Sequence, residues 1–193
     1  SPGSVQMLDM WDTQSAVITE GSGMKSKNKQ AKNKIRKGAQ MVTMSIWHPD
    51  IEEFITSKQT SGRLTKFNMS VLITDDFMQA VEKDEFYTLE FPVGVPLKKS
   101  TLETVVANIE TYKMGGSGVG EKPEPASLKA EGDKVMDSYS GKVAGRIDES
   151  DNVQLSARYV MNMISELAWK TADPGFIFLD EINKFNPLPQ KGP

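Results

Sequence analysis

Residues 68 to 84, NMSVLITDDFMQAVEKD, constrain the fold more than any other part of the chain. An apolar run, NMSVLIT, passes straight into a helix that begins at Asp75 and Asp76 and buries Phe77, Met78 and Val81. A strand handing over to a helix is the repeating unit of an α/β architecture. The alternation continues on either side. GAQMVTMSI, residues 38 to 46, alternates as a strand does, and His48-Pro49-Asp50 then opens a helix with Ile51, Phe54 and Ile55 on its buried face. Pro49 suits a first helical position, and Asp50, Glu52 and Glu53 sit where the helix dipole favours negative charge. FIFLD, residues 176 to 180, is a compact apolar strand suited to a sheet buried on both faces.

Three further segments complete the pattern. Val5, Leu8, Trp11, Ser15 and Ile18 form one helical stripe, widened by Met7 and Met10 and ended by the glycines of residues 20 to 23. TLEFP is a short strand stopped by Pro92. VQLSARYVMNMISELAWK, residues 153 to 170, reads as the strongest helix, with Leu155, Tyr159, Met163, Leu167 and Trp169 on its apolar face and Ala172-Asp173-Pro174-Gly175 as its breaker. Residues 93 to 150 contain GGSGVGEKPEPAS and read as an insertion or linker-rich region.

At 193 residues with three tryptophans, the chain is one domain, or a large piece of one, with enough apolar side chains for a core. No apolar run approaches the roughly 18 residues of a membrane span, and no secretory signal opens the chain. A cytoplasmic protein without a membrane partner is therefore expected. The absence of cysteine excludes disulfides, thiolate metal sites and cysteine nucleophiles within these residues. With His48 the single histidine, a histidine-dependent triad or multi-histidine metal site is excluded too, and no metal ligands are assigned. The chain opens SPGS without Met and closes NPLPQKGP, and both ends read as cuts in a longer protein.

Residues 24 to 37, MKSKNKQAKNKIRK, hold seven basic residues and no acid in a chain whose net charge is −3. Such a run can bind polyphosphate nonspecifically or be a solvated loop. Single-strand binders interleave aromatic residues for base stacking, and these positions have none, which lowers the nucleic-acid reading. Arg36 and Lys37, followed by Gly38 and a strand, suit a loop whose guanidinium grips a phosphate or base edge. Residues 115 to 122, GGSGVGEK, lack the Lys-Ser/Thr ending of a phosphate loop and read as linker. Ser22 and Lys25 match Ser-x-x-Lys only inside a lysine-rich run. His48 reads as a helix-entry residue. Asp180 and Glu181 follow the last strand, where α/β enzymes hold functional carboxylates and where helix caps also fall.

Four segments in order resemble the catalytic subunit of ribonucleotide reductase: IRKGAQM, WHPDIEEFITSK, FNMSVLITDDFMQAV and AWKTADPGFIFLDEINKFNPL. SPGSVQMLDMWD is similar more weakly to the helix before that family's specificity loop. The Asn-x-Ser-Val and Asp-Pro-Gly wording is most like the adenosylcobalamin-dependent branch, with the iron-radical branch and its small subunit as the alternative. The resemblance implies an α/β fold, part of a ten-stranded α/β barrel. It makes residues 24 to 37 an extended specificity loop, with Arg36, Lys37, Gly38 and Ala39 as the substrate and effector residues. The family's thiyl radical removes the 3′ hydrogen of a ribonucleotide and two further cysteines supply reducing electrons. No catalytic residue is therefore expected in this cysteine-free chain, which alone should be inactive. The implied partners are a ribonucleoside di- or triphosphate, a deoxynucleotide effector, a thioredoxin-type or dithiol reductant and a second copy of the subunit. A nucleic-acid-associated α/β module using the basic loop stays open as the other class.

Overall fold

The computed structural model describes residues 3–21, 39–59, 62–102, 128–137 and 140–187. Helix α1 (Ser4–Gly21) ends at a glycine, as its sequence predicts. Strand β1 (Gln40–Ser45) leads to helix α2 (Ile51–Thr56) and a single 3-10 turn. Strand β2 (Phe67–Ile73) is followed by helix α3 (Asp75–Lys83) and strand β3 (Phe86–Thr88). Strands β4 (Leu128–Glu131), β5 (Lys134–Asp137), β6 (Val143–Ile147) and β7 (Val153–Ser156) then precede helix α4 (Ala157–Thr171), strand β8 (Gly175–Phe178) and helix α5 (Leu179–Lys184).

Two sheets result. The first is parallel, in the order β1-β2-β8, with Val42 opposite Met69 and Ile73 opposite Phe178. β2 is its centre. Met69, Ser70, Val71 and Ile73 are buried on it, so both faces are covered, which is why this strand reads as a continuous apolar run. The second sheet is antiparallel, in the order β3-β7-β6-β5-β4. Here β6 and β7 approach so closely that a Cβ on Gly145 would lie 1.9 Å from the Gln154 carbonyl oxygen. Only glycine fits there.

The α/β reading holds for the parallel layer, where Ile51, Phe54 and Ile55 bury as expected and Thr74 caps α3 by accepting the Phe77 amide hydrogen. The antiparallel sheet is what the sequence reading does not contain. Of residues 93 to 150, those from 128 to 147 carry three of its strands. The long helix is also shorter than expected. VQLS is strand β7, and Ser156 is the N-cap, accepting from the Tyr159 amide. The helix buries Ala157, Val160, Ile164 and Leu167, while Trp169 stands 89% exposed. On α1, Val5, Leu8 and Ser15 are buried but Trp11 and Ile18 are exposed. The third strand begins at Phe86 rather than Thr88, and only an isolated bridge from Glu90 to Pro96 continues it. FIFLD is an edge of the parallel sheet among the described residues, and Phe176 and Phe178 are exposed rather than buried.

Candidate functional site

Three of the four residues assigned to the substrate and effector loop, Arg36, Lys37 and Gly38, lie outside the described residues, as do the Ser22-to-Lys25 and 115-to-122 motifs. Ala39 is exposed, one residue before β1. The elements that flank the basic segment, α1 before it and β1 after it, are described, and they are tied together. The Gln40 side-chain amide donates to Ser15 Oγ, and the Gln40 backbone amide donates to the Lys66 carbonyl at 2.8 Å. Arg63 places its Nε and Nη2 on the two carboxylate oxygens of Asp9, at 2.8 and 2.7 Å. At the start of α1, Ser4 donates through its amide and its hydroxyl to Asp50 Oδ2, at 3.3 and 2.7 Å. Asp50 therefore anchors α1, whereas its own helix receives no side-chain cap from it.

Titratable groups gather on α2. Glu53 has an acid group pushed up to about 7, first by burial and then by the Asp50 charge, with Arg63 acting in the opposite direction. Its neighbour Glu52 is buried, and neither carboxyl oxygen has a partner at ordinary hydrogen-bond distance. Burial first, and then Asp137 as a longer hydrogen-bond partner and as a charge, push Glu52 up to about 10. Asp137 accepts from the hydroxyls of Tyr159 and Ser140, both at 2.5 Å. The Tyr159 hydroxyl is raised above its ordinary range by burial and by that bond, and Tyr87 is raised by burial and by Glu52. This cluster joins α2 of the parallel layer to β5 and α4. Among the described residues no group of three or more His, Cys, Asp or Glu suited to a metal ion occurs.

At the C-terminal edge of the parallel sheet, Asp180 Oδ2 accepts the Asp75 amide hydrogen at 2.7 Å, and Glu181 pairs with Lys184 at 2.7 Å. Asp180 therefore acts at the start of α3, and Glu181 forms an ion pair within α5. His48 Nδ1 accepts the Asp50 amide at 3.0 Å, a helix-entry contact. The residues that sequence reading missed are Asp9, Gln40 and Arg63. Their partners lie 25 and 54 positions away, and no local pattern marks such a pairing.

The chain belongs to the ribonucleotide reductase barrel-domain family, whose model matches residues 2–193. It is 28% identical over 191 residues to the vitamin B12-dependent ribonucleoside-diphosphate reductase of Thermoplasma acidophilum, covering 98% of this chain and 16% of that protein. It is 25% identical over 191 residues to the enzyme of the same description from Mycobacterium tuberculosis, covering 98% of this chain and 18% of that one. A stretch of 63 residues is 41% identical to a putative ribonucleoside-diphosphate reductase large subunit of Frog virus 3, which is 31% of this chain and 11% of that protein. The chain thus spans about a sixth of the length of the first two relatives. Among the described residues no helix is long and apolar enough to cross a membrane.

Proposed function

We propose that this chain is a segment of a ribonucleotide reductase catalytic subunit of the adenosylcobalamin-dependent kind, reducing ribonucleoside diphosphates to 2′-deoxyribonucleoside diphosphates in the cytoplasm. The observation that carries this reading is the family match along the whole chain, together with B12-dependent relatives that each cover 98% of it. The segment supplies barrel strands β1, β2 and β8 and the specificity loop of Arg36, Lys37, Gly38 and Ala39, with Arg36 as gripping residue and Gly38 allowing close approach of the backbone to a nucleotide. The cofactor, when bound to the complete protein, supplies the radical. None of the described side chains is assigned to hold it.

The thiols that reduce the substrate, and the reductant that recharges them, act outside these residues, because the chain has no cysteine. Deoxynucleotide effectors and a thioredoxin-type or dithiol reductant are the remaining partners. A second copy of the subunit is supported by α1, where Met7, Met10, Trp11, Val17 and Ile18 are exposed at helical spacing as an apolar stripe.

The test is to express the full reading frame and assay the reduction of ribonucleoside diphosphates with adenosylcobalamin and a dithiol. Reduction that depends on the cobalamin is expected. Reduction that persists without it would move the protein to the iron-radical alternative, and no reduction under either condition would sink the reading.

A further inference from the structure

The turn from Gly62 to Lys66 touches the elements at both ends of the basic segment. Gly62 and Leu64 take positive φ, 84° and 51°, and Leu64 is nonetheless buried. A bulky side chain in the left-handed region is strained, so the surrounding structure must hold the turn in this shape. What the shape achieves is visible in its contacts. Arg63 forks onto Asp9 of α1, and the Lys66 amide donates to Asp12 Oδ1, one turn further along the same helix, at 2.8 Å. The Lys66 carbonyl accepts from Gln40, the first residue of β1, and Gln40 reaches across to Ser15 of α1. One five-residue turn therefore fixes the helix that leads into residues 24 to 37 and the strand that leads out of them.

We propose that this turn is a clasp at the base of the basic segment, and that Arg63 is a positioning residue: by holding Asp9 it sets the spacing of α1 and β1, and so the coupling between bound effector and choice of substrate base. The inference rests on the specificity-loop reading of that segment. The fork is the part that matters. A guanidinium presents two parallel donors to a carboxylate, which fixes direction as well as distance, whereas an ammonium fixes neither. The pair is only partly exposed, with 22% of the Arg63 and 35% of the Asp9 side chain accessible, so salt screens it less than an open surface pair. Glu53 lies beside the same guanidinium, and its raised acid group keeps it from competing fully with Asp9.

The experiment uses the complete enzyme and compares wild type, Arg63→Gln and Arg63→Lys for the ratio of turnover between substrates under each deoxynucleotide effector. A coupling between sites of typical size is five- to 150-fold, so Arg63→Gln should reduce the effector-driven change in substrate preference by about tenfold. Turnover without effector should stay within about twofold of wild type, and Arg63→Lys should fall between the two. A lost fork that merely destabilised the protein would lower turnover for every substrate alike and leave the ratios intact, and that result would overturn the proposal. If Arg63→Gln does not fold, Asp9→Asn removes the acceptor charge while leaving the arginine stem packed, and the same ratios decide. Wild-type enzyme that reduces no ribonucleotide would instead overturn the functional reading on which the clasp rests.

Discussion

Glu52 is a carboxyl group that the fold keeps neutral. Its ordinary value of 4.5 is pushed up to about 10, mainly because burial removes the water that would solvate the charge, and then because Asp137 already carries one nearby. The folded protein therefore retains a proton that the unfolded chain releases above about pH 4.5. Stability is greatest below that value and falls as pH rises toward 10, by roughly 3 kcal/mol by pH 7. Glu52→Gln keeps the shape and removes the titration. Thermal unfolding between pH 5 and 9 should show the variant close to wild type at the acid end and several degrees more stable at the alkaline end. Parallel pH profiles for the two proteins would show that Glu52 is not the group responsible. Asp137 gives a second, opposite expectation, because the hydroxyls of Tyr159 and Ser140 donate to it. Tyr159→Phe takes one donor from a buried carboxylate and should cost about 1–3 kcal/mol, read as a lower midpoint in urea. An unchanged midpoint would show that the Tyr159 bond contributes nothing net.

At the scale of elements, the junction of β7 and α4 shows what local pattern can and cannot decide. Ser156 ends the strand and caps the helix, accepting the Tyr159 amide at 3.2 Å. Ser156→Ala should lower stability by about 1 kcal/mol, while Ser156→Asp, which can still cap, should not. Equal losses in both variants by chemical denaturation would mean that packing around the residue, not the cap, holds the junction. VQLS reads as helix in isolation because Val153 and Leu155 suit either period. Pairing with the adjacent β6 and with β3, which is remote in sequence, makes it a strand. β4, β5 and β6 were illegible for the same reason. They are four or five residues long and exist as strands through mutual pairing. The elements that were legible carry their own signals: alternation in β1, a near-continuous apolar run in β2, a Thr cap on α3, and acidic first turns in α2 and α3. The site divides in the same way. The family segments mark the loop by its wording, but the Arg63–Asp9 clasp joins residues 54 apart and leaves no local trace.

At the scale of the whole molecule, the parallel sheet is unfinished within the described residues. β1 and β8 are its two edges, each presenting backbone groups without a neighbouring strand. Parallel sheets occur almost only with both faces covered, yet Phe176 and Phe178 on β8, Ile182 on α5 and Phe185 beyond it are all exposed. An open edge flanked by uncovered aromatic rings is a template for association between copies. On the proposed reading as a segment of a larger barrel, strands outside the described residues would cover that edge. The segment alone should therefore associate as concentration rises, seen by light scattering, while the full reading frame should keep a fixed size. Phe178→Lys should suppress the association of the segment by placing a charge on the edge. A segment that stays monomeric across a wide concentration range would show that this edge is covered from within the chain. The same pair of proteins separates structure from chemistry. With no thiol to carry a radical or to deliver two electrons as a disulfide, the segment should reduce no ribonucleotide even when Phe178→Lys keeps it dispersed. Any deoxynucleotide formed by the dispersed segment with cobalamin and dithiol would place the chemistry on residues other than cysteine, and would remove the chain's proposed role as a scaffold for thiols held elsewhere.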